Sequence, residues 1–221
     1  MANNTNNIKI AGSLKIKDWR ELQPKLDICK EENWDKAFQF FERRIITRYF
    51  NPINAILDLK QNNGEGFSVV NLQCSLIETI ECFYNGWIAK GNKHCETSNR
   101  KKIIDHIVVF NSFLNKIDSF RKYNLNAKDF YINVRCGLLH ELQTKNNWII
   151  LDSKSNKASF FLREKDNKKI IYRSNLQAEI EKEFENYKKI IVCGDNISGT
   201  VDLKKIRQDF IGKINLICDN S

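Results

Sequence analysis

The stretch FSVVNLQCSLIETIECFYNGWIAKG (67–91) decides the fold, because its apolar residues recur at three- and four-residue spacing. That spacing predicts an amphipathic α-helix. Its apolar residues form two adjacent stripes: Leu72, Leu76, Ile80, Phe83 and Trp87 in one, and Ile77, Tyr84 and Ile88 in the other. So broad an apolar surface predicts a central, largely buried helix. Glu78 and Glu81 interrupt it, so at least one carboxylate is expected near the core, where it needs a cationic partner.

Three further helices are predicted around this one. The first, from Trp34 to a kink or end near Pro52, carries Arg43, Arg44 and Arg48 on its polar face. The second covers 103–120 and the third 128–144, whereas 90–102 is predicted to be a polar loop. The first 33 residues are weakly patterned and are treated as an N-terminal extension.

After Asn147 the apolar residues fall in three short runs rich in Ile and Phe, which predict an antiparallel β meander. Two more helices are expected after it. The predicted fold class is therefore mainly α: a four- or five-helix bundle with a small C-terminal antiparallel β meander and further helices. The predicted division is an extension over 1–33, a bundle over 34–147, and a C-terminal unit over 148–221 that packs on the bundle.

The composition bounds the class of protein. A net charge of +9 suggests a polyanionic partner such as nucleic acid, although a lysine-rich surface without a focused patch explains it equally well. The seven cysteines are scattered and are expected to be reduced thiols, and no metal or cofactor is predicted. The sequence shows neither a membrane-spanning apolar run nor a secretory signal, so we expect a cytoplasmic protein with no membrane partner.

The stretch NVRCGLLHEL (133–142) raises the functional question. On a helical wheel Arg135 lies among apolar side chains, so it needs an anion: Glu78 or Glu81 from the chain, or an external phosphate. His140 lies about 140° away on a strip of small or polar residues, which are Asn133, Cys136, Gly137 and Thr144. Gly137 suggests close approach of a backbone or a ligand. Taken alone, an arginine and a histidine on a helix are more often structural than catalytic.

The RCGLLH element, an Arg-x4-His on the last core helix, resembles the HEPN superfamily. The order of FFERRIITRYFNPI, the GEGF turn, LQCSLIETIECF and FYINVRCGLLHE is similar too, and the resemblance covers about 34–145. One departure is Cys136, because many active members carry a polar residue, often Asn, directly after the arginine.

The resemblance implies a metal-independent endoribonuclease, a toxin or defence effector, in which two protomers of a homodimer line one cleft. Arg135 and His140 would be catalytic, with Glu78, Cys136 and Asn133 in support and Arg43, Arg44 and Arg48 on the RNA backbone. Partners would be RNA and, for a toxin, a cognate antitoxin. Two alternatives stay open: a non-catalytic HEPN-like module that binds RNA, nucleotide or protein, and a helical interaction protein without a nucleic-acid role.

Overall fold

The N-terminal residues form a hairpin and a short helix that join the main hydrophobic core. The computed structural model describes residues 5–59, 64–90, 94–97, 103–152, 162–195 and 202–221. Strands β1 (Lys9–Ala11) and β2 (Leu14–Lys15) pair antiparallel, and α1 (Ile16–Leu22) follows directly. Ile10, Ile16 and Trp19 are buried in the same cluster as the helices described below. The segment predicted as an extension therefore contributes to the core.

The first predicted bundle helix is longer than expected. It consists of α2 (Trp34–Ile45), a π-helical stretch (Ile46–Phe50) and α3 (Asn51–Asp58) in direct succession. Pro52 lies in the first turn of α3, where the missing N–H of proline breaks no necessary hydrogen bond. The predicted end or kink at Pro52 is therefore replaced by a π-helical stretch just before it.

The long apolar stretch forms α4 (Glu65–Tyr84), so the predicted helix is confirmed up to Tyr84, whereas Trp87 and Ile88 of its stripes lie in a strand. Behind it the predicted loop over 90–102 is wrong in part: β3 (Trp87–Lys90), β4 (His94–Thr97) and β5 (Ile103–Ile104) form an antiparallel sheet. The helix predicted over 103–120 becomes α5 (His106–Leu114) and α6 (Asp118–Lys122). Asp105 caps α5 by accepting from the Ile107 N–H at 2.7 Å, which fixes a later start than the apolar pattern suggested.

The helix with the Arg-x4-His element consists of α7 (Ala127–Phe130), a second π-helical stretch (Tyr131–Cys136) and α8 (Gly137–Glu141). Asn126 caps its start by accepting from the Lys128 N–H at 2.8 Å. Leu142, with φ of 59°, ends it in the left-handed conformation. A π turn takes in an extra residue, so the side chains of this helix do not follow a regular α-helical wheel.

Three strands follow, but they are not a meander. They are β6 (Trp148–Leu151), β7 (Leu162–Lys165) and β8 (Lys168–Tyr172), in the order β6-β8-β7. β7 and β8 form an antiparallel hairpin through Asp166 and Asn167, both with positive φ, as in a type I′ turn. β6 instead pairs parallel to β8. Apolar runs predict that strands exist, but they do not encode which edge the third strand joins.

Two long helices, α9 (Arg173–Cys193) and α10 (Leu203–Asp219), complete the described structure. α4 contacts α3, α5, α9 and α10, which confirms its central position. Aromatic rings join the layers, and Phe210 of α10 lies against Phe38 and Phe41 of α2. One buried cluster extends from Ile10 to Cys218, so the segment after 148 shares the core of the bundle. No helix in the described ranges is long and apolar enough to cross a membrane.

Candidate active site around Arg135

Arg135 lies in the second π-helical stretch and faces α4. Its Nε donates to Glu78 Oε1 at 3.1 Å, and the two side chains are 17% and 19% exposed. Glu78 is thus the partner that the sequence offered for this arginine. No described residue hydrogen-bonds to the two terminal nitrogens of Arg135, and neither nitrogen is fully buried. Glu78 orients the guanidinium through one edge and leaves the other free for an anion.

Glu81, the other carboxylate considered for Arg135, has different partners. It is fully buried and accepts from Lys116 Nζ at 2.7 Å and Asn85 Nδ2 at 2.8 Å, and also from the Ser112 hydroxyl. These contacts tie the end of α4 to α5. Glu81 is therefore a fully bonded part of the core and does not belong to the Arg135 cluster.

His106 is a member of the cluster that the sequence did not reveal. Its Nδ1 lies 3.7 Å from Glu78 Oε1, and its side chain is 8% exposed. Both ring nitrogens are buried without a hydrogen bond among the described residues. The ring lies parallel to that of Tyr131, 6.2 Å away between centroids, and the Arg135 guanidinium lies 5.6 Å from the Tyr131 ring centroid. The only signal in the sequence was a histidine directly after a capping aspartate.

The electrostatics of the cluster favour a permanent cation at Arg135. Burial opposes the charged guanidinium, but Glu78 more than compensates and raises the pKa of Arg135. Burial, together with Cys136, raises the pKa of Tyr131 to about 12. Burial likewise raises the pKa of the Cys74 thiol, one turn before Glu78. At neutral pH the cluster therefore holds a charged Arg135 guanidinium beside a neutral Tyr131 phenol and a neutral Cys74 thiol.

His140 is separate from this cluster in a single chain. It is exposed in the last turn of α8, and within the described residues it forms no hydrogen bond or ion pair. No hydrogen bond or ion pair joins it to Arg135 or Glu78 among the described residues. Of the two residues of the Arg-x4-His element, only Arg135 therefore bonds to Glu78, and His140 is exposed at the end of the same helix.

The apolar side chains that the wheel places on both sides of Arg135 are only partly buried. Val134 and Leu138 are in the core, and Tyr131 is half-buried. Ile132, Leu139 and Leu142 are 41%, 46% and 83% exposed, and Leu142 lies just after the end of α8. Arg135 itself packs towards α4, with exposed apolar residues close to it in the sequence.

Gly137 and Asn133 hold the helix, whereas Cys136 lies close to Arg135 and Tyr131. A Cβ on Gly137 would lie 2.5 Å from the Gln143 carbonyl oxygen, so the close approach suggested by this glycine is made by the chain itself. The Asn133 amide donates to Asp129 Oδ1 at 2.7 Å, and its oxygen accepts from Asn146 at 2.9 Å. Cys136 is half-buried beside Tyr131.

The structure divides the three arginines that the sequence grouped on the first helix. Arg43 donates to Ser13 Oγ at 2.9 Å and lies beside Gln39. Arg44 and Arg48 line a separate pocket. Arg44 is half-buried and donates to the Ile10 carbonyl, whereas Arg48 is exposed.

Within the described residues, no group of three or more His, Cys, Asp or Glu side chains is placed to hold a metal ion. Comparisons of the chain with family models, with curated proteins and with solved structures found no significant match. The HEPN resemblance therefore rests on the Arg-x4-His element and the helix order, and it stays a prediction.

Proposed function

We propose that this protein is a metal-independent endoribonuclease of the HEPN type, a toxin or defence effector that acts on RNA as a homodimer. The observation that carries the proposal is the state of Arg135. It is oriented through Nε by Glu78, and its two terminal nitrogens have no partner among the described residues. A guanidinium held in this way matches the two non-bridging oxygens of a phosphodiester.

The exposed stripe supports the dimer. Ile132, Leu139 and Leu142 are exposed apolar residues close in sequence to Arg135 and His140, the first two in the helix and Leu142 directly after it. Apolar residues clustered on a surface mark interaction sites. A two-fold contact along this stripe would place the Arg135 of one protomer near the His140 of its partner. The separation of the two residues in a single chain is then expected.

The chemistry follows from the residue types. An imidazole accepts the proton of the RNA 2′-hydroxyl as its oxygen attacks the adjacent phosphorus. The bond to the 5′-oxygen breaks, and that oxygen takes up a proton from the imidazolium formed in the first step, so one histidine can serve both transfers. Arg135 would stabilise the charge that develops on the non-bridging oxygens. The products are a 2′,3′-cyclic phosphate and a 5′-hydroxyl, and no step requires a metal.

Cleavage of labelled RNA in the presence of a chelator tests the proposal. Wild type should cleave, whereas Arg135→Ala and His140→Ala should each lose at least about a hundredfold in rate. Lys128→Ala, an exposed change on the same helix, is the matched control and should cleave like wild type. Equal cleavage by wild type and His140→Ala, or no cleavage by any form, would reject the enzyme.

Mixing the two inactive variants tests the composite site. A heterodimer of Arg135→Ala and His140→Ala protomers keeps one arginine and one histidine, so part of the activity should return. Sedimentation of Leu139→Glu should show a monomer, because a carboxylate would replace an exposed apolar side chain in the interface. No recovery on mixing, together with a monomeric wild type, would contradict the dimer.

A non-catalytic HEPN-like module that binds RNA, nucleotide or protein is the second candidate. Cys136 after the motif arginine favours it, together with the absence of a direct Arg135–His140 contact in the described chain. Salt-sensitive RNA binding without cleavage, unchanged in His140→Ala, would support this module. Gain of cleavage in Cys136→Asn would instead show that the cysteine limits an otherwise competent site.

A further inference from the structure

The first π-helical stretch (Ile46–Phe50) also carries an arginine, Arg48, and it borders a pocket. π-Helical turns are rare and are frequently found at functional sites. The pocket has a volume of about 230 Å³ and lies between α2, the end of α4 and α10. It is distinct from the Arg135 cluster, because α4 presents Thr79 and Phe83 to the pocket and Glu78 to Arg135.

Three cationic residues line this pocket: Arg44, Arg48 and Lys213. The described residues of its wall include no carboxylate. The remaining wall is apolar or aromatic, with Phe41, Tyr49 and Phe83 among its members. Arg44 and Arg48 lie close enough to repel each other, and an anion in the pocket would reduce that repulsion.

The individual contacts show which cation is free. Arg44 is fixed by the Ile10 carbonyl. Lys213 Nζ donates to the Trp87 carbonyl at 2.7 Å and lies 5.1 Å from the centroid of the Phe83 ring. Arg48 is exposed and has no hydrogen bond or ion pair within the described part of the chain. The pocket thus has two positioned cations and one arginine able to close over a ligand.

The pKa values of Arg44 and Lys213 are both lowered in this pocket. Burial and the neighbouring Arg48 lower the pKa of the Arg44 guanidinium to about 10. Burial also lowers the pKa of Lys213. Burial is the main cause in both residues, and only at Arg44 does a neighbouring positive charge add to it.

We propose that the pocket of Arg44, Arg48 and Lys213 binds a phosphomonoester dianion. Guanidinium groups match the oxygens of a phosphate in pairs, and three cations favour a dianion over a carboxylate. The aromatic wall would contact the organic group that carries the phosphate. Because drug-sized ligands occupy about 300–1,000 Å³, this smaller pocket suits one phosphate with a small attached group. Such a group occurs on a free nucleotide and at the 5′ end of an RNA chain.

Calorimetric titration of the full chain at low salt tests the proposal, with inorganic phosphate and AMP as the probes. Both should bind wild type, and Arg48→Gln should weaken binding about tenfold through the loss of a charged hydrogen-bond donor. Arg121→Gln removes the same charge from an exposed arginine that pairs with Asp118, away from the pocket. It should bind within about twofold of wild type. Equal weakening by both variants, or no binding of either probe, would overturn the proposal.

A second titration distinguishes the two sources of the phosphate. In His140→Ala protein, an RNA oligomer with a 5′-phosphate is compared with the same oligomer ending in a 5′-hydroxyl. Tighter binding of the phosphorylated form, lost in Arg48→Gln, assigns the pocket to the RNA end. Equal binding of the oligomers with retained AMP binding assigns it to a small molecule. Neither result depends on Arg135 or His140, so failure of the nuclease proposal leaves this one testable.

Discussion

Arg207 and Arg135 both lie in amphipathic helices beside apolar residues, yet their surroundings differ. Arg207 of α10 is 1% exposed, and its nitrogens donate to four backbone carbonyls: Ile28, Lys30, Ile191 and Val192. Its guanidinium also lies 4.6 Å from the centroid of the Trp34 ring. Arg135 has one partner, Glu78, and keeps two nitrogens without one among the described residues. All the guanidinium nitrogens of Arg207 donate hydrogen bonds within the fold, whereas two nitrogens of Arg135 remain available to bind a ligand.

The largest expected effect in this comparison is on Arg207. Arg207→Met should lower the free energy of unfolding by about 4 kcal/mol, because several buried carbonyls would lose their donor at once. Urea denaturation followed by circular dichroism measures this loss. A loss of less than about 1 kcal/mol would mean that Arg207 does not hold the ends of these segments together.

The second expected effect compares Gly-to-Ala substitutions in the two helices, at Gly137 near Arg135 and at Gly212 in the helix of Arg207. Gly137→Ala places a Cβ 2.5 Å from the Gln143 carbonyl oxygen, so it should destabilise the protein by about 2 kcal/mol. Gly212 of α10 has no neighbouring atom within 4 Å of the position that a Cβ would take, so Gly212→Ala should stabilise by about 0.5–1 kcal/mol through helix propensity. Thermal unfolding measures both changes: the midpoint temperature should fall in Gly137→Ala and rise in Gly212→Ala. Stabilisation by both would show that the turn after α8 moves away freely.

The third expected effect tests how firmly the helix under Arg135 is held. Asp129 accepts from Lys169 Nζ at 2.6 Å, Trp148 Nε1 at 3.0 Å and Asn133 Nδ2 at 2.7 Å. Burial opposes its charge, but these donors prevail and lower the pKa of Asp129 below its ordinary value of 3.8. Since the folded pKa is the lower one, this stabilisation is present above pH 3.8 and is lost as the pH falls through the folded value.

Asp129→Asn should therefore lower the free energy of unfolding by about 1–2 kcal/mol at pH 7. The difference from wild type should shrink in acid. Urea denaturation midpoints of wild type and Asp129→Asn, compared at pH 7 and below the ordinary pKa of 3.8, measure this difference. Asp118→Asn is the exposed control, and its midpoint should change little. A difference that stays constant with pH would show that the charge of Asp129 does not contribute.

The sequence predicted the parts of the site that depend on a regular helix. The two stripes of 67–91 identified α4 as central, and Glu78 was one of two partners named for Arg135. These predictions hold because side-chain spacing on an α-helix depends only on local geometry.

The remaining features depend on non-local structure. The π-helical stretch at Tyr131–Cys136 is not encoded by apolar spacing and interrupts the regular wheel. The wheel placed Ile132, Leu139 and Leu142 on one apolar face with Val134 and Leu138, but only the last two are buried. His106 reaches Glu78 only because α5 packs on α4, with a start fixed by the Asp105 cap. β6 pairs parallel with β8 because it joins one particular edge of the β7–β8 hairpin. The residues of β6 alone do not specify which edge that is.

The smaller expected effect of removing an arginine is at Arg135. Arg135→Met should lower the free energy of unfolding by about 1–2 kcal/mol, well below the loss for Arg207→Met, because only one charged hydrogen bond is lost and Glu78 keeps some exposure to water. Denaturation of Arg135→Met and Arg207→Met under the same conditions measures the contrast. If the nuclease proposal holds, the same Arg135→Met protein should cleave RNA at least about a hundredfold more slowly. A loss of stability as large as that of Arg207→Met would assign Arg135 to the fold and remove the observation on which the proposed function rests.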